Sequence, residues 1–324
     1  MSKVMVEKGH GDGYLSVAGL QSLVSGIWRQ LKVWRRVNLG PVALFFRAER
    51  AVHVTSNTAK RLSRIAQTNE SGRCSDSPTD MKHPVNDGRR GGVALVVGVG
   101  PGFGHALVHR LASEGFQVVM ASRNALRLDK LVDEIRAEGG SAFAYGCDAT
   151  AENSVLSLFA NVQDLHAVPD LVVYSLQSFG PGQAIDIEVP AFEEGWRHNC
   201  LGAFLVARSA ARAMQTKGCG TIVLVGSTSS MLGRAGHLNL AVGKFGQRAL
   251  SQVLARELWP KGIHVAHVVI DADIDEGDDD HDELPRSNPN DIAQLIVDVH
   301  RQPKSAWMSE ADIRPWNEQF WQHC

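Results

Sequence analysis

The stretch VALVVGVGPGFGHALVHRLASEG, residues 93–115, decides the fold, because it joins an apolar strand to a helix through a loop rich in glycine. The run 93–98 is apolar enough to be covered on both faces of a sheet, and HALVHRLASEG that follows has the helical period. Glycines in the loop let the chain turn sharply and bring its backbone close to a phosphate. A glycine loop alone is weak evidence, since any tight strand-to-helix turn uses glycine. Its place between strand and helix predicts a dinucleotide-binding unit.

The same alternation of apolar strand and helix continues to the end of the chain. Further strands are predicted at 116–122, 141–146, 170–175, 220–226 and 264–270. Helices are predicted at about 103–114, 124–138, 151–164, 190–216, 236–259 and 290–301, before a strand-like AWMSEADIRPW. Strands that are apolar on both faces and alternate with helices are typical of a parallel sheet covered on both sides. We therefore predict one α/β domain at 91–324, a Rossmann-type doubly wound parallel sheet.

Residues 1–90 differ in composition from the rest of the chain. From Trp28 to Arg64 nine basic residues stand against a single acid, Glu49, and a polar stretch follows. A basic leader and a surface-binding helix are two interpretations. The third, which we adopt, is a basic extension that is poorly structured or lies outside the native domain, with Met81 as the natural start of the folded part.

Charge and cysteine usage limit the partners and the compartment. The formal net charge of −2 predicts neither nucleic acid nor an anionic membrane as a partner. No apolar run approaches the roughly 18 residues of a membrane span. Five cysteines form no Cys-x-x-Cys pair, so neither a disulfide framework nor a zinc site is indicated. A cytoplasmic protein is expected.

The residues after the second strand bear on the cofactor. An NAD site usually has an acid there to hold the ribose hydroxyls, whereas this chain has Ser122-Arg123-Asn124. Arginine and short donors suit a 2′-phosphate, so NADP is predicted, with NAD still possible. Alternatively, Arg123 is a solvated residue of the next helix. Asp148, after the third strand, fits either a helix cap or a contact to adenine.

At this point the chain resembles the short-chain dehydrogenase/reductase family, clearly over about 91–275. The loop Gly98-x-x-x-Gly102-x-Gly104 has the family's spacing, with Val97 in place of its threonine. The family's Asn-Asn-Ala-Gly segment appears as residues 174–177, Tyr-Ser-Leu-Gln. Asn199 and Ser227 stand where the resemblance places the water-anchoring asparagine and the catalytic serine.

One catalytic position departs from the family. The family's tyrosine follows the serine by thirteen residues, which leads to Leu240. Lys244 follows four residues later, at the spacing that brings two side chains to one helix face. No slipped register restores a tyrosine, because the chain has only Tyr14, Tyr145 and Tyr174.

The resemblance implies the site residues. The catalytic set is Asn199, Ser227 and Lys244, with Lys244 also anchoring the cofactor ribose, and no metal is expected. The remaining cofactor-binding positions are Gly98, Gly102, Phe103, Gly104, Ser122, Arg123, Asn124, Asp148, Ala149, Ser175 and Ile274. An acidic run, 275–283, is predicted to be a solvated lid.

Two functions follow from this pattern. The first is an NADP-dependent oxidoreductase that moves hydride between nicotinamide and a carbonyl, alcohol or related C=X group. The second is a catalytically weak or inactive dinucleotide-binding pseudoenzyme with a regulatory or scaffolding role. The proton would come from Ser227 with a water linked to Lys244, or from Tyr174, His237 or Asn239. The resemblance also implies a small-molecule substrate, and a homodimer or homotetramer that pairs helices 190–216 and 236–259.

Overall fold

The computed structural model describes residues 4–6, 13–15, 91–274 and 286–317. The chain divides into two units, Met1–Ser71 and Gly72–Cys324. In the first unit, β1 (Val4–Val6) pairs antiparallel with β2 (Gly13–Leu15). The other predictions for 1–90, and the acidic run 275–283, lie outside the described residues, so they stay predictions.

The second unit is built on a sheet of seven parallel strands. Its strands are β3 (Val93–Val97), β4 (Gln117–Ser122), β5 (Ser141–Gly146), β6 (Leu171–Tyr174), β7 (Gly220–Ser227) and β8 (Ile263–Ile270). A separate parallel pair, β9 (Asp273–Ile274) and β10 (Arg286–Ser287), precedes the last strand, β11 (Glu310–Ile313). The order across the sheet is β11-β8-β7-β6-β3-β4-β5. The six strands predicted between 93 and 270 are present, each within a residue or two of its predicted ends, and the strand-like AWMSEADIRPW contains the shorter β11.

Helices cover both faces of this sheet. They are α1 (Phe103–Ser113), α2 (Asp129–Ala137), α3 (Glu152–Leu165), α4 (Val189–Trp196), α5 (Gly202–Lys217), α6 (Leu238–Leu258) and α7 (Pro289–Arg301). One buried cluster joins α1, α2 and α7 to one face, and a second joins α3, α5 and α6 to the other. The doubly wound α/β prediction is therefore confirmed. None of the helices in the described residues is long and apolar enough to cross a membrane.

Three details depart from the prediction. The helix predicted at 190–216 consists of α4, a π-helical turn at Arg197–Leu201 and α5. The helix predicted from residue 124 begins with a 3-10 turn, and Asn124 at its N-cap makes no side-chain capping bond. Cys219 is disulfide-bonded, which the cysteine pattern did not lead us to expect.

The strand order reverses between β3 and β6. From β3 the chain runs outward through β4 and β5, then returns to the other side of β3 and continues through β6, β7 and β8. A crevice forms beyond the carboxyl ends of the strands where the order reverses, and ligands of open α/β sheets bind there. The main-chain N–H of Ser175, just after β6, donates to Val97 O at 2.9 Å. The fold thus brings the glycine loop and the segment after β6 to one crevice.

Candidate active site

The glycine loop occupies the crevice after β3. Gly98 and Gly102 adopt φ values of 93° and 65°, a left-handed region that other residues avoid. A Cβ on Gly98 would lie 2.7 Å from Leu176 Cγ, so a larger residue would not fit beneath the loop. A Cβ on Gly100 would meet nothing within 4 Å, which leaves open space above the loop. The loop therefore has the shape that a bound phosphate needs.

The start of α1 supplies donors to that space. Gly102 stands at the N-cap, offers no side chain to the helix, and the first turn contains no acid. His105 and Ala106 donate their N–H groups to the carbonyls of Gly100 and Gly102. Phe103 and Gly104 occupy the first two helical positions, whose N–H groups have no partner within a helix. An anion at this point would receive both the N–H groups and the positive end of the helix dipole.

The loop after β4 presents a cation in place of an acid. Ser122 Oγ donates to Asn124 O at 2.7 Å, which fixes the turn. Arg123 and Asn124 are exposed. Arg123 lies near enough to Asp148 to contribute to the lowered pKa of that carboxyl group. The three predicted residues therefore border the crevice with a positive charge that a 2′-phosphate would neutralise.

Asp148 stabilises a turn after β5. Its Oδ1 accepts from Thr150 N at 2.9 Å and from Thr150 Oγ1 at 2.7 Å. These bonds are the main cause of its lowered pKa, with smaller contributions from His198 and Arg123. Ala151, and not Asp148, stands at the N-cap of α3, so the helix-cap interpretation is wrong in detail. Ala149, also predicted for the cofactor, is buried beside it.

Tyr174 belongs to the core. Its side chain is fully buried, its hydroxyl donates to His198 O, and burial raises the pKa of the phenol. A Cβ on Gly202 would lie 2.3 Å from that hydroxyl, so α5 packs directly against it. A phenol held in this way has no access to a substrate. Of the two alternatives for Tyr174, the structure supports the core residue over the proton donor.

Asn199 lies in the π-helical turn and is fully buried. Its Nδ2 donates to Ser178 O at 2.7 Å, and its Oδ1 accepts from Ser178 N at 3.0 Å. Both ends of the amide therefore hold the loop after β6 against the helix. A Cβ on Gly243 would lie 2.4 Å from Asn199 Cβ, so α6 approaches this turn at a position where only glycine fits.

The side chain of Lys244 is buried within the site. It is 1% exposed, and its Nζ donates to Val225 O at 2.9 Å and to Leu176 O at 3.3 Å. Burial lowers the pKa of this amine from 10.5 to about 7. Gln247, one turn later, donates to the same Val225 oxygen at 3.1 Å. Leu240, in the position of the family's tyrosine, is 4% exposed and contributes no titratable group.

Two polar atoms at the start of α6, His237 Nδ1 and Asn239 Oδ1, are shielded from solvent and unpartnered among the described residues. Ser227, at the end of β7, forms a capping box with Ser230, in which Ser227 N donates to Ser230 Oγ at 3.2 Å. The His237 ring also stacks on Phe179 with ring centroids 4.6 Å apart. Buried polar atoms normally have partners. Unsatisfied ones grouped at the end of the sheet are consistent with a site that completes its hydrogen bonds with a ligand.

The sequence missed a charged group beneath the site. His267, on β8, is 1% exposed, with Nδ1 at 3.1 Å from Glu310 Oε2. Arg248 donates to both oxygens of Glu310 at 2.7 Å. Burial, opposed by Glu310, lowers the pKa of His267, and a Cβ on Gly226 would lie 2.4 Å from its Nε2. The only signal in the sequence was the pair of histidines, His264 and His267, in the otherwise apolar strand β8.

Ile274, predicted to meet the cofactor, is half-buried in β9 and packs against the cluster of α1, α2 and α7. Its strand pairs with β10, with Asp273 opposite Arg286. The structure thus places Ile274 just after β8, on the same carboxyl-end side of the sheet as the other predicted positions.

Comparison with known proteins identifies the family. The family model described as short chain dehydrogenase matches residues 92–272. Sorbitol-6-phosphate 2-dehydrogenase of Escherichia coli (strain K12) is 34% identical over 181 residues, which are 55% of this chain and 70% of that enzyme. The (3R)-3-hydroxyacyl-CoA dehydrogenase of Canis lupus familiaris is 31% identical over 192 residues, 56% of this chain and 73% of that enzyme.

A crystal structure of a short-chain dehydrogenase from Rhodopseudomonas palustris superposes with a TM-score of 0.63. It is 34% identical, and the match covers 70% of this chain and 100% of that one. The chain belongs to the short-chain dehydrogenase family, and it is an NAD(P)-dependent short-chain oxidoreductase, as the sequence predicts.

Proposed function

We propose that the protein is an NADP-dependent oxidoreductase that moves hydride between nicotinamide and a carbonyl, alcohol or related C=X carbon, with Lys244 exchanging the proton. The observation that carries this proposal is the amine of Lys244, buried at the position the family spacing gives it, with a pKa of about 7. A general acid or base acts best when its pKa lies near the working pH. The group that the family uses to assist its tyrosine would here take the tyrosine's part.

The crevice supports NADP as the cofactor. Gly98 and Gly102 shape the loop, and the first turn of α1 offers unpaired N–H groups to a pyrophosphate. Arg123 supplies the charge that a 2′-phosphate needs, at a point where an acid would favour NAD. When bound, the nicotinamide supplies or accepts the hydride. The cofactor positions predicted from the sequence remain part of this proposal.

The proton exchange follows from the donors of Lys244. A protonated amine has three N–H donors, and two of them are bonded to Val225 O and Leu176 O. The third would pass its proton to a substrate oxygen through Ser227, which stands at the carboxyl end of β7 in a capping box with Ser230. Near neutral pH both forms of the amine are populated, so it can give a proton in reduction and take one in oxidation. Asn199 keeps the loop after β6 in place.

The test combines binding, turnover and pH. NADPH and NADH binding are measured by fluorescence, and consumption is followed across a panel of ketones, aldehydes and imines. In the reductive direction kcat should fall as pH rises through about 7, because Lys244 loses its proton. Lys244→Met should lower kcat by about 10²–10⁴-fold, whereas Lys261→Met, at an exposed lysine, should not. A pH profile and kcat that are unchanged in Lys244→Met would refute this role.

Leu240 keeps the second candidate function open. A buried leucine in place of the tyrosine is what a binding protein with a regulatory or scaffolding role would have. Tight NADPH binding with no turnover on the whole panel would favour that function. Activity that appears only in Leu240→Tyr would then locate the missing group.

A homodimer or homotetramer remains part of the proposal. Val242, Phe245 and Val253 of α6 and Phe204 of α5 are large apolar side chains between 38% and 53% exposed. These are the two helices that the resemblance pairs across a subunit interface, and an exposed apolar face marks an association surface. Light scattering after size exclusion tests it: Phe245→Glu should reduce the assembly, whereas Leu165→Glu, an exposed leucine on α3, should not.

A further inference from the structure

A cluster of metal-type ligands lies between α1 and α2, apart from Lys244 and Ser227. His105 and His109 stand four residues apart on α1, and Glu134 and Glu138 stand four residues apart on α2 and its C-cap. One ligand atom from each of His105, His109 and Glu134 lies within 4.8 Å of the others. Residues at this spacing share one helix face, so two faces carrying these side chains meet.

The distances agree with a small tetrahedral ion. Glu134 Oε2 lies 3.3 Å from His105 Nε2 and 3.8 Å from His109 Nε2. Zinc binds nitrogen and oxygen at about 2.0–2.1 Å, so two ligands of a tetrahedral ion are separated by about 3.3 Å. The His105 side chain is 50% exposed, so it can turn slightly to complete the geometry without disturbing the core.

Neighbouring groups orient these ligands. His109 Nδ1 lies 3.1 Å from Glu138 Oε2, and with its proton on Nδ1 the ring donates to that carboxylate. Nε2 of the same ring is shielded from solvent and has no hydrogen bond within the part of the chain that the structure describes, so it presents its lone pair to Glu134. A carboxylate behind a ligating histidine is the usual outer partner of zinc-bound imidazole.

A neighbouring side chain also orients the carboxylate of Glu134. Lys130 Nζ lies 3.3 Å from Oε1, which leaves Oε2 facing the two imidazoles. One oxygen is held by the lysine and the other is directed at the histidines.

We propose that His105, His109 and Glu134 bind a divalent transition-metal ion of the zinc type, with water or a small ligand in the fourth position. Two imidazoles and one carboxylate favour zinc, cobalt, nickel or copper over magnesium or calcium, which prefer oxygen ligands. The ion cross-links α1, which begins at the glycine loop, to α2, which follows the Ser122-Arg123-Asn124 turn. It thus ties together the two segments proposed to hold the cofactor phosphates. The sequence did not predict this site, because it depends on the packing of α1 against α2.

The test uses the full chain, stripped of metal and titrated with Zn²⁺ by calorimetry and with Co²⁺ by visible absorption. We expect the four-coordinate Co²⁺ spectrum, and zinc at 100 times its Kd should raise Tm by about 5 °C. His105→Ala, half exposed and so compatible with folding, should lose one equivalent of zinc and the Co²⁺ spectrum. Glu138→Gln should weaken binding by about 10–100-fold. His166→Ala, at a histidine bonded to Tyr145 away from the cluster, should bind as the wild type does.

The opposite results are equally distinct. Zinc affinity and stoichiometry unchanged in His105→Ala would overturn the proposal, as would a six-coordinate Co²⁺ spectrum or displacement of zinc by Mg²⁺. The readout does not depend on turnover, so an inactive oxidoreductase would leave this proposal standing.

Discussion

Replacing Lys244 with methionine should change how stability depends on pH. The folded amine has a pKa of about 7, whereas the unfolded one has about 10.5. Between these values the unfolded chain binds a proton that the folded chain does not, so wild-type stability rises with pH. Each tenfold change in proton affinity is worth about 1.4 kcal/mol, so burial of the amine opposes folding by up to about 5 kcal/mol below pH 7. Methionine has nearly the same length and no proton to lose.

The decisive quantity is the difference in free energy of unfolding between wild type and Lys244→Met, and how that difference changes with pH. Between pH 7 and pH 9 the free energy of unfolding of the wild type should rise by about 2 kcal/mol relative to that of Lys244→Met. Loss of the bonds to Val225 O and Leu176 O shifts the variant by an amount that varies much less with pH. Urea unfolding of both proteins at pH 7, 8 and 9 gives the difference directly, because other groups titrate alike in both.

Lys261→Met provides the matched control. Lys261 is exposed in the turn after α6. The free energy of unfolding of Lys261→Met should therefore differ from that of the wild type by the same amount at every pH in this range. If the free energies of unfolding of Lys244→Met and wild type also differed by the same amount at every pH, within about 0.5 kcal/mol, the reasoning would be refuted. The amine would then keep its usual proton affinity in the fold, and its proposed part in proton exchange would fail with it.

Three further predictions concern the crevice and its support. Arg123→Ala should weaken NADPH binding by about 10–100-fold and leave NADH binding nearly unchanged, as measured by fluorescence, because a charged hydrogen bond is lost. Gly243→Ala should lower the free energy of unfolding by about 1–3 kcal/mol in urea, since its Cβ would lie 2.4 Å from Asn199 Cβ. Glu310→Gln should lower it by about 1–3 kcal/mol at pH 7, because Arg248 loses its paired carboxylate. The pKa of Glu310 is lowered from 4.5, so that contribution is complete above pH 4.5 and disappears as pH falls through the folded value.

Controls and contrary outcomes are equally specific. Arg127→Ala, exposed in the turn before α2, should leave both cofactors unaffected, and equal losses of NADPH and NADH in Arg123→Ala would contradict the 2′-phosphate contact. Gly146→Ala should cost less than about 0.5 kcal/mol, because its Cβ would meet nothing within 4 Å. A stable Gly243→Ala would contradict the close approach of α6. If the free energies of unfolding of wild type and Glu310→Gln differed by the same amount at pH 7 and in acid, that result would contradict an ion pair between Arg248 and Glu310.

The fold could be predicted because its signals are local. A parallel strand covered on both faces is an apolar run, and a phosphate loop has glycines at fixed spacing, so β3, α1 and the loop between them follow from one stretch. The positions of Ser227, Leu240 and Lys244 follow from spacing along a strand and a helix. Such patterns can be read from the sequence without knowing which elements pack against each other.

The environment of the site could not be predicted in the same way. The low pKa of Lys244 depends on its complete burial, and its partner at Leu176 is 68 residues away in the chain. Glu310 joins His267 and Arg248 only because β11 pairs with β8. Two histidines four residues apart suggest nothing until α2 brings a carboxylate to them. These features arise from contacts between distant segments, which one sequence does not reveal.

The π-helical turn at Arg197–Leu201 constrains how the chain can vary in length. Such a turn holds one residue more than an α-helical one, and each residue rotates a helix by about 100°. Deleting one of these five residues would restore a regular helix with α4 and α5 in nearly the same register, but it would turn the side chains within the turn itself, so Asn199 would lose its bonds to Ser178. A change of length here would therefore release the loop after β6, and descendants of this gene should accept insertions or deletions in their loops long before they accept one in this turn.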